Sequence, residues 1–214
     1  MQSTSPVIAG VDEAGRGAVA GPVVAGACIL PSNVTVPEFI RDSKQLSPAA
    51  RTDAFHWIER HCAFGWGVVP AECIDRSGIL TATELAMQAA VRSLAMQKIP
   101  TYLLVDGQDH FWFDYPHSSI VRGDQTEKCI AAASIVAKVM RDQLMVRSHL
   151  EFPLYGFREH KGYGTPAHFS LIERFGACPL HRRTFITRVG AASPQPTQAA
   201  GRRRRVESST IALV

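Results

Sequence analysis

Asp12 and Glu13 are adjacent carboxylates at the end of an apolar stretch, Val7–Val11, and Gly15-Arg16-Gly17 follows at once. Two such charges leaving a buried strand are costly unless a cation or basic partner lies between them. Neighbours in a strand point to opposite faces, so both serve one site only if the chain kinks there, which the glycines make easy. Asp106 ends a second apolar stretch, Tyr102–Val105, and precedes Gly107. Strand ends are where α/β sheets bind ligands. Asp124 precedes a long helical pattern, with Glu127 three residues on, the spacing of a capping box. Each carboxylate alone also fits an ordinary role as a solvated turn residue, a turn aspartate or an N-cap. Together they form a set of hard oxygen ligands suited to Mg2+ or Mn2+ rather than zinc. A carboxylate cluster holding two divalent ions about 3.5–4 Å apart is a recurrent device for phosphodiester hydrolysis.

Other residues have chemistry of their own. Gly15–Ala20 fits a G-x-G-x-x-A dinucleotide fingerprint, but Gly21-Pro22 and Val23-Val24 interrupt the helix it needs, and two carboxylates would face the pyrophosphate. Ser43 and Lys44, ahead of a helix in Asp42-Ser43-Lys44, could hold a backbone phosphate. Tyr163 stands between Gly162 and Gly164, where a turn could present its ring to a sugar or base. Arg158, His160, Lys161, His181, Arg182 and Arg183 make the last third basic; the ordinary expectation for its histidines is a surface or packing role.

The elements that must position these residues follow from periodicity. Val7–Val11, Val23–Leu30 and Gly65–Val69 read as strands, as do Tyr102–Val105 and the edge candidate Ile120-Val121. Ser47-Pro48 opens a helix with Phe55, Ile58 and Cys62 on one face. Thr81-x-x-Glu84 reads as a capping box opening a helix to about Gln97. The next helix is expected from about Gln125 to Leu150, with Cys129, Ala133, Val136, Met140 and Leu144 on one face and Ser134, Lys138 and Arg141 as a polar stripe on another. A last helix spans Thr165-Pro166 to Gly176. Early strands followed by alternating strands and helices predict an α/β fold, its mixed sheet antiparallel at first, parallel later and flanked by helices.

The chain has 214 residues, 46% of them hydrophobic and 20% charged, which fits one well-buried domain and excludes wholesale disorder. No apolar run approaches the roughly 20 residues of a membrane helix, and the N-terminus lacks a signal-peptide pattern. Five cysteines without a C-x-x-C pair argue against structural zinc and for reduced thiols in a cytoplasm. The net charge is +4, of which Arg202–Arg205 and Glu207 leave +3 in the last 25 residues, so the body is not a basic coat. The expected organisation is one domain over residues 1–189 and a disordered basic tail over 190–214.

The combination resembles ribonuclease HII. It is carried by Gly10-Val-Asp-Glu-Ala-Gly-Arg-Gly17 with Ala20-Gly-Pro22, Asp42-Ser-Lys-Gln-Leu-Ser47, Val105-Asp-Gly107 and Gly123-Asp124. It continues through Ile130-Ala-Ala-Ala-Ser-Ile-Val-Ala-Lys-Val139, Arg141-Asp142, His160-Lys-Gly-Tyr-Gly-Thr165, His181-Arg182 and Phe185. Gly-Arg-Gly, in place of the Gly-Thr-Gly of ribonuclease HIII, favours type HII. The resemblance implies an RNase H-like fold and a monomeric endonuclease that uses Mn2+ or Mg2+. Its substrates would be RNA–DNA hybrids and duplex DNA with single ribonucleotides, cut on the 5′ side to leave 3′-hydroxyl and 5′-phosphate ends. It also implies that Asp12, Glu13, Asp106 and Asp124 hold metal, that Gly15, Arg16 and Gly17 sense the 2′-hydroxyl, and that Tyr163 packs on the sugar beside the RNA–DNA junction. One departure is Ala18, where the family has proline; its freer φ predicts a looser loop and weaker junction selectivity. No sliding-clamp partner is inferred. The rival readings are a noncatalytic hybrid-binding protein, which would lack a carboxylate, and a DNA-specific carboxylate nuclease, against which the Gly-Arg-Gly loop and Tyr163 argue.

Overall fold

The computed structural model describes residues 6–41 and 43–186. Asp42 of the Asp-Ser-Lys triplet, the first five residues and the whole basic tail, with the expected domain boundary near residue 190, lie outside the described residues.

Five strands form one sheet: β1 (Ile8–Ala14), β2 (Val23–Ile29), β3 (Ala63–Val69), β4 (Tyr102–Asp106) and β5 (His117–Ile120), in the order β3-β2-β1-β4-β5. β1 to β3 are joined antiparallel, whereas β1–β4 and β4–β5 are parallel, as the order of elements predicts. The helices are α1 (Pro48–His61), α2 (Ala71–Ser77), α3 (Ile79–Ala95), α4 (Gly123–Thr126), α5 (Lys128–Glu151), α6 (Phe157–His160), α7 (Pro166–Phe175) and α8 (Arg183–Ile186). Ser47 and Thr165 cap α1 and α7 through their side chains, each with proline at the first position, as the start signals require.

The period-2 pattern splits the core into two layers. Ala9 and Val11 of β1, with Val23, Ala25, Ala27 and Ile29 of β2, pack against Ala82, Ala86, Ala90 and Leu94 of α3. On the other face Cys28 meets Ala132, Ala133 and Val136 of α5, with Phe55 and Ile58 of α1 beyond them. α5 sits so low on the sheet that a Cβ on Gly10 would lie 2.1 Å from the Cys129 carbonyl carbon. Only glycine permits that approach.

Three local expectations are corrected. Thr81 and Glu84 are not a capping box: α3 begins at Ile79, Gly78 is its N-cap at φ +83, and no side chain caps it. The reason is an unforeseen helix, α2, which ends on Gly78 and hands the chain directly to α3. The helix expected from Gln125 is broken at Glu127, so Asp124 lies inside the short α4 rather than capping α5. Finally, α5 is not a one-faced helix. Ser134 and Arg141, expected on a polar stripe, are buried, while Cys129, Met140 and Leu144 are only half-buried. Two helical faces of α5 are covered, and the polar one meets the segments described next.

Candidate active site

The parallel pairing of β1 with β4 matches Val11 with Val105, which sets Asp12 and Asp106 beside each other at the same end of the sheet. β4 in turn pairs with β5, and α4 follows β5 immediately, bringing Asp124 to the same end. Carboxylate oxygens of Asp12, Asp106 and Asp124 all lie within 4.8 Å of one another. The Asp124 N–H donates to Asp106 Oδ1 at 3.3 Å, which fixes the third carboxylate against the second.

Glu13 does not join that group of three. β1 runs on through Ala14 without the kink that would have turned both carboxylates to one side, so Glu13 alternates to the opposite face. Its charge is still felt, because burial, then Glu13, then Asp106 push the Asp12 carboxyl well above the usual carboxylate range. Burial likewise raises Glu13, offset by Arg16, and burial with Asp124 raises Asp106. Asp12 and Asp106, both held above their ordinary values and clustered with Asp124, form a site that favours a cation. The donors are oxygens, so a hard divalent ion fits them.

Basic and hydroxyl groups border the cluster. Lys44 Nζ lies 3.2 Å from Asp124 Oδ2. Ser43 Oγ lies 2.8 Å from Ser134 Oγ of α5, and the Ser134 hydroxyl works against the upward push on the Asp12 carboxyl. Arg51 anchors this loop by donating to the Ser43 and Leu46 carbonyls. Arg16 makes a 2.7 Å ion pair with Asp109 and lies 3.6 Å from Glu13. Neither Asp109 nor the role of Ser134 was foreseen. Asp109 stands three residues after Asp106 in the sequence, and Ser134 lies inside the long helix motif.

The Gly15–Gly17 loop is fixed from behind. Arg182, fully buried, donates to the carbonyls of Gly15, Arg16 and Gly21 at 2.8–3.0 Å. Arg141 donates to those of Pro22 and Ala20. Gly15 has φ +90, and a Cβ there would lie 1.9 Å from Arg141 Nε, so glycine is obligatory. The looseness expected from Ala18 does not follow, because its N–H donates to the Gly15 carbonyl at 3.2 Å, a bond proline could not make. Among the described residues nothing accepts from the N–H groups of Arg16 and Gly17.

Tyr163 is half-buried on the other side of Arg141, whose guanidinium carbon lies 5.0 Å from the ring centroid, with Lys138 Nζ at 5.4 Å. Arg141 Nη1 is buried without a hydrogen-bond acceptor, and the ring face offers it negative potential. The Gly162 carbonyl accepts from Val19 and Ala20, tying the Tyr163 turn to the chain just past the Gly15–Gly17 loop. The basic cluster of the last third divides: Arg158 and Arg183 are exposed, whereas His181 and Arg182 are buried and structural. All five cysteines are free thiols, and among the described residues no helix is long and apolar enough to cross a membrane.

A family model described as Ribonuclease HII matches residues 9–188. The ribonuclease HII of Syntrophus aciditrophicus is 48% identical over 193 residues, covering 90% of this chain and 89% of that one. Among solved structures, the ribonuclease H2 of Pyrococcus horikoshii superposes with a TM-score of 0.66 at 25% identity, covering 83% of this chain and 92% of that one. The PCNA:RNase HII complex from Archaeoglobus fulgidus gives a TM-score of 0.71 at 22% identity, covering 89% of this chain and 98% of that one, a likeness of fold.

Proposed function

The chain belongs to the ribonuclease HII family, the type II ribonucleases H, and from that premise we propose that it cuts duplex DNA on the 5′ side of single embedded ribonucleotides as well as hydrolysing RNA in RNA–DNA hybrids. The observation that carries this is the convergence of Asp12, Asp106 and Asp124 beside a rigid Gly15–Gly17 loop and an aromatic ring.

Asp12, Asp106 and Asp124, with Glu13 from the other side of β1, would hold divalent cations, Mg2+ or Mn2+, and two such ions would supply an activated water and stabilise the departing 3′ oxygen. Water adds to phosphorus, the bond to the 3′ oxygen breaks, and the products are a 3′-hydroxyl and a 5′-phosphate. Lys44 partly offsets the negative field at Asp124 and, being exposed, is placed to meet a phosphate of the substrate backbone, whereas Ser43 is buried against Ser134 and would act on the substrate only by holding this loop. The carbonyls of Gly15 and Arg16 are committed to Arg182, so the loop offers its N–H donors to the substrate. A 2′-hydroxyl can accept from such a donor and deoxyribose cannot, which separates RNA from DNA at that sugar. Tyr163, its ring seated against Arg141, packs on the adjacent deoxyribose, where a further hydroxyl would collide. The protein acts as a monomer in the cytoplasm, and the charges of Arg202–Arg205 would contact substrate phosphates.

The test uses three labelled duplexes: DNA carrying one ribonucleotide, all-DNA, and a long RNA–DNA hybrid, each with Mg2+ or Mn2+. A metal-dependent cut 5′ of the lone ribonucleotide, absent in Asp106→Asn, supports the reading. Cleavage of the hybrid alone would remove junction recognition, and cleavage of all-DNA would favour a DNA-specific nuclease. Tyr163→Ala is expected to lose junction cleavage while leaving metal binding intact; equal loss of both would overturn its role.

A further inference from the structure

Three histidines surround the turn that carries Tyr163, and their hydrogen-bond partners fix which nitrogen holds each proton. The Tyr163 carbonyl lies 2.9 Å from His168 Nδ1. A carbonyl only accepts, so Nδ1 carries the hydrogen, and in a neutral ring Nε2 is bare. That bare nitrogen lies 3.1 Å from His181 Nε2, which therefore donates. His181 Nδ1 is then bare in its turn, and the Cys178 N–H donates to it at 2.9 Å. The Cys178 carbonyl, 3.3 Å from the same nitrogen, is the acceptor a second proton on His181 would use. The donors thus run one way, from Cys178 through His181 and His168 to the Tyr163 carbonyl. Burial pulls both imidazoles down to about 4, so neutral rings are the ones present at neutral pH.

His160 completes the frame. Its ring stacks on His168 with centroids 4.0 Å apart and 21° between planes. Its Nδ1 accepts from Gly162 N–H, its Nε2 donates to the Tyr155 carbonyl, and its own carbonyl accepts from Tyr163 N–H. The Tyr163 carbonyl thus accepts from both the His168 ring and the Thr165 N–H, and its N–H donates to the His160 main chain. The residue after His181 is Arg182, which grips the Gly15, Arg16 and Gly21 carbonyls, and an Ala20–His181 bridge joins the two strips of chain. Two consecutive residues thus hold the loop on one side of the site and the aromatic turn on the other.

We infer that His181 and His168 are positioning residues for junction selection: their one-way hydrogen-bond relay sets the Tyr163 turn at a fixed distance from the Gly15–Gly17 loop. The inference rests on the reading of Tyr163 given above. Packing alone would need only ring volume at these positions. The relay also needs a donor at His181 Nε2, and that difference can be measured.

His181→Met removes the donor, whereas His181→Gln returns an amide N–H to the same end of the side chain. Both are compared with wild type, Tyr163→Ala and the Tyr163→Ala/His181→Met double variant, reading kcat and KM on the single-ribonucleotide duplex and on a long hybrid. His181→Met is expected to lower kcat/KM on the single ribonucleotide about tenfold, the scale of one buried hydrogen bond, and to change the hybrid far less. His181→Gln should recover most of the loss, and the double variant should be no worse than Tyr163→Ala. Equal loss on both substrates, or losses that multiply in the double variant, would overturn the relay. If Tyr163→Ala spares the single ribonucleotide, the reading of Tyr163 falls first; if Tyr163→Ala is selective and His181→Met is not, only the relay falls. Should His181→Met not fold, ring-nitrogen NMR on the wild-type protein decides. Hydrogens on His168 Nδ1 and His181 Nε2 support the relay, and the opposite tautomers overturn it.

Discussion

Asp106→Asn should abolish cleavage and at the same time make the metal-free protein more stable. Asp106 has two acidic neighbours, Asp12 and Asp124, with oxygens within 4.8 Å. At an effective dielectric of about 20, each ionised pair at that distance repels by about 3.5 kcal/mol. Much of this is already relieved, because Asp12 and Asp106 are pushed toward their protonated forms and Lys44 Nζ lies 3.2 Å from Asp124. Asparagine removes the charge and keeps an oxygen where Asp106 Oδ1 accepts the Asp124 N–H. The expected gain is therefore about 1–3 kcal/mol, or roughly 3–10 °C in Tm for a domain of this size. The assay is thermal unfolding in EDTA and again with millimolar MgCl2 or MnCl2. In EDTA the variant should melt higher. With metal the gap should close, because only the wild type gains fully from binding to the folded state. A variant that melts at or below wild type in EDTA, or gains as much from metal, would refute the electrostatic account of the site.

Gly10→Ala should cost about 2–3 kcal/mol in urea unfolding, since its Cβ would lie 2.1 Å from the Cys129 carbonyl carbon; a change below about 0.5 kcal/mol would mean that α5 can lift off β1 freely. His168 and His181 are 0% and 2% exposed, with pKa values near 4 against an unfolded 6.5. Their folded values are depressed, so each contributes stability that is complete above pH 6.5 and lost as pH falls toward 4, about 3 kcal/mol at most per histidine. Protonation of Asp12, Glu13 and Asp106 acts in the opposite sense. The check is therefore a difference: the slope of stability against rising pH over that window should be less positive in His181→Gln than in wild type, and equal slopes would count against it. Deleting residues 191–214 should flatten the plot of log affinity for a hybrid against log salt by about 3, from four arginines; an unchanged slope would make the tail a bystander.

The residue types and their local spacing determined much of this protein. The apolar run ending in Asp106 located a strand end, whereas the run ending in Asp12 located a strand that continues to Ala14. Ser47-Pro48 and Thr165-Pro166 located two helix starts, because capping is a contact between near neighbours in the chain. The order of strands and helices was enough for a mixed sheet. Local spacing could not decide which residues act together. That Asp12 rather than Glu13 joins Asp106 and Asp124 depends on β1 staying extended through Ala14, which its pairing with β2 enforces. Asp124 reads as an N-cap in isolation, but the break at Glu127 makes it part of α4, aimed at Asp106. His181 reads as a surface or packing residue and Arg182 as one of a basic cluster, because nothing near them in sequence shows whether they are buried. Arg182 Nη2 lies 2.8 Å from the Gly15 carbonyl, 167 residues away along the chain. Hydrogen bonds of that span exist only after the sheet has closed and α5 has packed on it, so tertiary structure alone turned a basic stretch into the clamp behind the site.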